Sequence, residues 1–341
     1  MLKKGLVQVY TSTSEWFNFA PIGLSLRAAG QNLRTLNACF SPHKAMNGDA
    51  MASLFLKPNL VIDHTAIEEG GGRGMGRGSA LDAFVHASAA ALAGEFDIVI
   101  LNGINPLLDQ GVISLEQILR LIEKRPPNVE LVLSGPGAPE EIIDRADLVT
   151  EMIVTRSGEG PEDTPGSEGR GTIEVVTGNG KGKTTYCLGK AMMMSCVGIR
   201  AAILQFMKSP QPYGEIKAIE KFPYLSVETM GKGFFHTNRP AEKEKHLKAA
   251  RVAWEECLRE IFSLKYGLVV LDEINTATYY GLVHHERVRE LLFLKPRGLH
   301  LLLSGRNAHL EVRAAASTLI EMREIKHPYR KGIKARKGIE F

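Results

Sequence analysis

The chain has 341 residues, 44% hydrophobic and 23% charged, which suits about two globular domains and excludes wholesale disorder. No run approaches the roughly 18 apolar residues of a membrane span. Lys and Arg number 42 against 38 Asp and Glu, and the net charge of +4 is too even to imply a nucleic-acid partner.

The opening residues, Met1-Leu2-Lys3-Lys4-Gly5, carry charge but no apolar run or small-residue cleavage site behind it, so no secretory signal is expected. Residues 5–40 recur at 171–206 with a constant offset of 166. Gly5/Gly171, Val9/Val175, Thr11/Thr177, Gly23/Gly189, Arg34/Arg200 and Phe40/Phe206 coincide without a gap. Residues 95–152 recur at 265–322 with an offset of 170. There Ile104-Asn105 overlies Ile274-Asn275, Leu133-Ser134-Gly135 overlies Leu303-Ser304-Gly305, and Glu151-Met152 overlies Glu321-Met322. The chain reads as a tandem duplication. The expected domains are residues 1–155 and 172–341, joined by a polar, turn-rich flexible linker over 156–171. Gly70–Gly78 looks like an arginine-glycine RNA-binding run, but beside Glu68 and Glu69 it reads as a loop.

In the second copy, Thr172–Thr177 predicts a strand and leads into Thr177-Gly178-Asn179-Gly180-Lys181-Gly182-Lys183-Thr184-Thr185. This matches the Gly-Lys-Thr end of a phosphate-binding P-loop, with Thr177 in the place of the usual first glycine. Glycines let backbone N–H groups converge on phosphate, and the following helix adds the positive end of its dipole. Lys183 would supply charge and Thr184 a metal-ligating hydroxyl. Leu188, Ala191, Met192, Ser195 and Cys196 recur at helical spacing up to Gly198, and Ala201–Phe206 is a further apolar run. Leu247, Ala250, Trp254, Cys257, Leu258 and Ile261 mark one face of a long helix. Leu268–Leu271 and Leu299–Leu303 are continuous apolar runs, as in strands buried on both faces of a parallel sheet.

The first of these runs ends in Asp272-Glu273, the carboxylates that a metal-assisted P-loop needs at a neighbouring strand end. The expected fold is therefore α/β, two tandem doubly wound RecA-like domains of P-loop NTPase type with mostly parallel sheets. His284-His285 precede a helix with no third ligand nearby in sequence and read as surface residues. In the first copy, Ser12-Thr13-Ser14-Glu15-Trp16-Phe17-Asn18 replaces the P-loop and Asn102-Gly103 replaces the carboxylates. That copy is expected not to bind Mg-ATP in this way and to act as a structural or regulatory partner. Four cysteines (Cys39, Cys187, Cys196, Cys257) without CxxC pairs fit a reduced, cytoplasmic protein.

Gly178–Thr185, Val270–Asn275, Ser304-Gly305-Arg306-Asn307-Ala308 and the basic ending Lys326–Phe341 together resemble the ATP:corrinoid adenosyltransferases of P-loop type. The resemblance is strong over 171–341 and weak over 5–152. It implies transfer of the 5′-deoxyadenosyl group of ATP to cobalt(I) of cob(I)alamin or cob(I)yrinic acid a,c-diamide, with triphosphate released. It places ATP on Gly178, Asn179, Gly180, Lys181, Gly182, Lys183, Thr184 and Thr185, in reverse orientation to ordinary P-loop enzymes. Mg²⁺ or Mn²⁺ would sit on Thr184, Asp272 and Glu273, with Lys183, Thr184 and Glu273 as the catalytic set. Phe234, Phe235 and His236 fall where the family presses aromatics on the corrinoid, although the tryptophan common there is missing. Arg306 is a further corrinoid candidate, and the basic tail an active-site lid or edge. A flavoprotein electron donor is implied, and neither membrane nor nucleic acid is expected as partner. Because such proteins pair, the two copies are expected to form an intrachain pseudo-dimer, with further homo-oligomerisation open. The competing reading is a RecA-like ATPase that couples hydrolysis to nucleic-acid or protein binding.

Overall fold

The computed structural model describes residues 2–15, 17–40, 48–66, 77–157, 170–209, 213–233 and 240–340. The first half runs β1 (Val7–Ser12), α1 (Ala20–Ala29), β2 (Thr35–Cys39), α2 (Asp49–Phe55), β3 (Leu60–Asp63), α3 (Arg77–Ala93), β4 (Ile98–Asn102), α4 (Asn105–Asp109), α5 (Leu115–Lys124), β5 (Glu130–Ser134), α6 (Glu140–Arg145) and β6 (Leu148–Ser157). The second repeats it as β7 (Ile173–Thr177), α7 (Lys183–Cys196), β8 (Ala201–Gln205), α8 (Gly214–Ile219), β9 (Leu225–Thr229), α9 (Pro240–Phe262), β10 (Leu268–Asp272), α10 (Ile274–Tyr279), α11 (His285–Leu294), β11 (His300–Ser304), α12 (Leu310–Ala315) and β12 (Thr318–Lys326). A 3₁₀ turn, Pro328–Lys331, opens the tail. Most of the expected linker, and residues 70–76 of the arginine-glycine run, lie outside the described residues. Among the described residues no helix is long and apolar enough to cross a membrane.

The two expected sheets are one. Among the described residues twelve strands follow the order β3-β2-β4-β5-β1-β6-β12-β7-β11-β10-β8-β9, which reads the same from either edge once each strand is exchanged for its repeat. Among the described residues the pairs within each half are parallel, and the single antiparallel pair, β6 with β12, joins the halves. In that pair Met152 faces Met322, its own counterpart, so a local two-fold axis passes between them. The Val, Ile and Leu runs of β4, β5 and β10 are buried throughout, as parallel strands with helices on both faces must be.

One sheet face carries a continuous core that crosses the joint, with residues of α1, α2, α7 and α8 packed on Ile100, Met152, Ile203 and Met322. The opposite face carries two separate cores, one under α3 to α6 and one under α9 to α12. The shared core depends on how closely α1 and α7 cross. A Cβ on Gly23 would lie 1.8 Å from the Thr185 carbonyl oxygen, and one on Gly189 2.2 Å from that of Phe19. Any side chain at either position would push the helices apart, which explains why both copies keep glycine there.

A buried ion cluster also crosses the joint. Arg27 of α1 places Nε 3.2 Å from Glu215 of α8, which also pairs with Lys208. Burial opposes ionisation of Glu215, yet the two cations hold its carboxyl down to about 2. Arg27 Nη1 further donates to the carbonyls of Ile339 and Glu340, tying the C-terminal tail to the first half.

Candidate active site

The second half builds its site where β7 hands over to α7. Gly178 and Gly182 have φ of 95° and 106°, a left-handed backbone that suits glycine, and Gly182 caps α7 so that Lys183 starts the helix. The loop is tacked to the neighbouring strand: Gly180 N donates to the Met322 carbonyl at 2.7 Å. From the first half, Tyr10 Cε1 lies 3.0 Å from where a Gly182 Cβ would stand, so the loop is backed by the other copy. Thr177 Oγ1 accepts the Ala308 amide at 3.2 Å, a bond that Thr11 and Ala138 repeat in the first half at 3.1 Å. Threonine in place of the usual first glycine therefore belongs to the repeated scaffold.

Lys183 is buried, and its Nζ donates to the Gly180 carbonyl at 2.8 Å. Burial pushes its ammonium down to about 8, despite the attraction of Glu273 and Asp272. Thr184 Oγ1 donates to Asp272 Oδ1 at 3.0 Å. Asp272, fully buried, also accepts from Ser304 Oγ at 2.6 Å and Gln205 Nε2 at 3.0 Å. Glu273 is half-buried, has a φ of 63°, donates its amide to Ser304 Oγ at 3.0 Å and accepts from Thr276 Oγ1. Burial and the adjacent Asp272 raise its carboxyl.

Lys183, Thr184, Asp272 and Glu273 are thus brought together. Their donors, one hydroxyl and two carboxylates, suit a hard divalent cation. The amides of the loop and the N-terminus of α7 are placed to take phosphate oxygens. Thr185 is buried behind the loop.

Lys181 lies elsewhere: its Nζ is 2.8 Å from Glu340 of the tail, whose carboxyl is held down against burial by Lys181 and Arg336. Arg336 in turn clasps Glu130 of β5 through 2.6 and 2.9 Å contacts. The tail therefore bridges the P-loop and the first half. Arg306 is exposed at the end of β11, its amide donating to Thr276 Oγ1. It lines an open cleft of about 350 Å³ with Asn179, Glu321, Arg323, Glu324 and Arg330 at the mouth of the P-loop. Phe234, Phe235 and His236 lie outside the described residues.

Ser304 and Gln205, which orient Asp272, escaped the sequence reading as site residues. Ser304 had a signal, since Leu-Ser-Gly recurs in both copies; Gln205 had only its place at a strand end, directly opposite Asp272 in register. In the first half α1 begins at Ala20, the counterpart of Tyr186. Phe17, Asn18 and Phe19, opposite Lys183, Thr184 and Thr185, therefore precede the helix, and Asn18 Oδ1 accepts the Ala20 amide at 2.9 Å.

The chain matches known proteins in both halves. The family described as ATP:corrinoid adenosyltransferase BtuR/CobO/CobP matches residues 3–159 and again 169–341. An uncharacterized protein of Nostoc sp. is 29% identical over 270 residues, 75% of this chain and 69% of that one. The corrinoid adenosyltransferase of Pseudomonas aeruginosa is 34% identical over 173 residues, 50% of this chain and 84% of that protein. That of Escherichia coli K12 is 30% identical over 202 residues, 59% and 98% of the two chains. Among solved structures, a KaiC-like protein of Pyrococcus horikoshii covers 45% of this chain and 75% of its own at 12% identity and a TM-score of 0.33, too low to carry weight. With one family matched twice along nearly its whole length, the chain belongs to the ATP:corrinoid adenosyltransferases.

Proposed function

We propose that the chain transfers the 5′-deoxyadenosyl group of ATP to cobalt(I) of a corrinoid, cob(I)alamin or cob(I)yrinic acid a,c-diamide, and releases triphosphate. The observation that carries this is the joint placement of Lys183, Thr184, Asp272 and Glu273 around a glycine loop in a chain of this family. In the reaction the bond between C5′ and the triphosphate oxygen breaks while a cobalt–carbon bond forms, the electron pair coming from cobalt(I). The nucleophile carries no proton, so the site needs no general base.

The protein's task is to hold the leaving triphosphate and stabilise its charge. Loop amides other than that of Gly180, with the α7 N-terminus, bind its oxygens, and Lys183 supplies a cation whose ammonium burial lowers to about 8. Mg²⁺, or Mn²⁺, would be held by Thr184, Asp272 and Glu273 and would neutralise phosphate charge. Ser304 and Gln205 keep Asp272 aimed at that position. Lys181 would exchange Glu340 for phosphate, which couples the tail to nucleotide binding. Phe234, Phe235, His236 and Arg306 are assigned to the corrinoid side.

Residues 172–341 form the catalytic unit on this reading and 1–155 a degenerate copy in an intrachain pseudo-dimer; of the expected linker 156–171, Arg156 and Ser157 extend β6 instead. An electron donor, a flavoprotein by chemistry, supplies cobalt(I), and a reduced cytoplasm suits thiols of which Cys39, Cys187 and Cys257 are buried. Anaerobic incubation with Mg-ATP and chemically reduced cob(I)alamin tests the assignment. A photolabile adenosyl-corrinoid with triphosphate is expected. ADP and phosphate with unchanged corrinoid would favour an ATPase instead.

A further inference from the structure

Three histidines of the second half converge although two of them lie far from the third in sequence. His284 sits at the N-cap of α11 and His285 at its first position, while His309 caps α12. Their rings stack in a row, His284 on His285 at 4.6 Å and His285 on His309 at 4.0 Å between centroids. Glu311, in the first turn of α12, closes the group: its Oε2 lies 3.9 Å from His285 Nε2, beyond hydrogen-bond reach. Arg289 faces the other oxygen, Oε1, at 3.3 Å. Oε2 is buried and has no hydrogen-bond partner, which is costly for a carboxylate oxygen unless something else takes it up. One ligand atom from each of His285, His309 and Glu311 falls within 4.8 Å of the others.

The first half shows that the fold does not require this arrangement. Its counterparts of His284, His285 and His309 are Ser114, Leu115 and Pro139, and only Glu141, opposite Glu311, is kept. Ser114 forms a full capping box with Gln117 on α5, whereas His284 makes no side-chain cap bond on α11. The second half has given up a stabilising cap, worth about 1 kcal/mol, for an imidazole.

We infer that His285, His309 and Glu311 form a binding site for a zinc-class divalent transition metal, separate from the nucleotide site. Two imidazole nitrogens and one carboxylate oxygen suit such an ion and leave a fourth position for water. The all-oxygen set of Thr184, Asp272 and Glu273 suits magnesium instead. To ligate through Nδ1, His309 exchanges only the long 3.4 Å bond from the Glu311 amide. The metal ties the start of α12, and with it the loop carrying Arg306, to the start of α11.

The test titrates the nucleotide-free full-length chain with Zn²⁺ by calorimetry, and with Co²⁺ by its visible d–d bands. One ion per chain is expected, with the bands of a four-coordinate site. His285→Leu, which copies the first half, and His309→Asn, which retains a capping acceptor, each weaken binding by at least about tenfold. Glu311→Gln, of the same size, does the same, and the metal-free Tm of the variants stays near that of the parent. Asp272→Asn leaves this binding in place. Absence of binding, binding that survives both histidine substitutions, or loss only in Asp272→Asn would each overturn the inference.

Discussion

At the ends of β4 and β10 the two halves hold the same bracket around different residues. Ser304 Oγ donates to Asp272 and accepts the Glu273 amide; Ser134 Oγ donates to Asn102 at 2.9 Å and accepts the Gly103 amide at 3.2 Å. The backbone is left-handed at the second position in both, φ 63° at Glu273 and 83° at Gly103. The half that keeps the acids bears like charges side by side and a strained non-glycine residue; the other has replaced both with relaxed, neutral equivalents. What both halves retain are the residues by which they pack: Gly23 and Gly189 at the helix crossing, Met152 and Met322 on the axis. The two copies share the contact and differ at the strand-end residues.

Four experiments break or sharpen this comparison. Lys183→Ala should lower adenosyl transfer by about 10²–10³-fold, the range for losing one preorganised donor to a developing anion, with the chain still folded by circular dichroism. Next, Gly23→Ala should cost about 3 kcal/mol in denaturant melts, since its Cβ meets backbone rather than a yielding side chain. Activity should fall with it although no catalytic residue is changed; unchanged stability would mean that the helices do not cross as described.

The acid limb of stability comes third. Glu215 has its carboxyl lowered to about 2, so its contribution is complete above the ordinary carboxylate range and is lost as pH falls toward 2. Arg27→Ala should flatten that limb in a Tm-against-pH series. Smallest is Glu273→Gly, which copies the first half. It should raise stability by up to about 1 kcal/mol by relieving the left-handed backbone, while weakening Mg-ATP binding in calorimetry.

The duplication, the buried parallel strands and the metal-phosphate motif were legible because each is local or repeats in register. Lys183, Thr184, Asp272 and Glu273 are read from short words beside strand ends; in the structure Thr184 bonds Asp272 and Lys183 turns back onto the glycine loop. How the copies meet was not legible. An antiparallel joint between β6 and β12 depends on edges that become available only after both halves have folded, and hydrophobic pattern says nothing about which edge pairs with which. The glycine pair Gly23 and Gly189 was visible as a coincidence, but its cause is a crossing in space. The place of Lys181 in the loop points to phosphate, and nothing near it in sequence announces its ion pair with Glu340, 159 residues away. His284 and His285 lacked a third ligand for the same reason, because His309 arrives from beyond an intervening helix and strand.

The central claim is that one half of the chain binds nucleotide and the other supports it. The most direct measurement is the stoichiometry of Mg-ATP binding to the full-length protein by equilibrium dialysis, with Lys183→Ala beside it. One nucleotide per chain, lost in the variant, is the expected result. Two per chain, or one that persists in Lys183→Ala, would contradict the account.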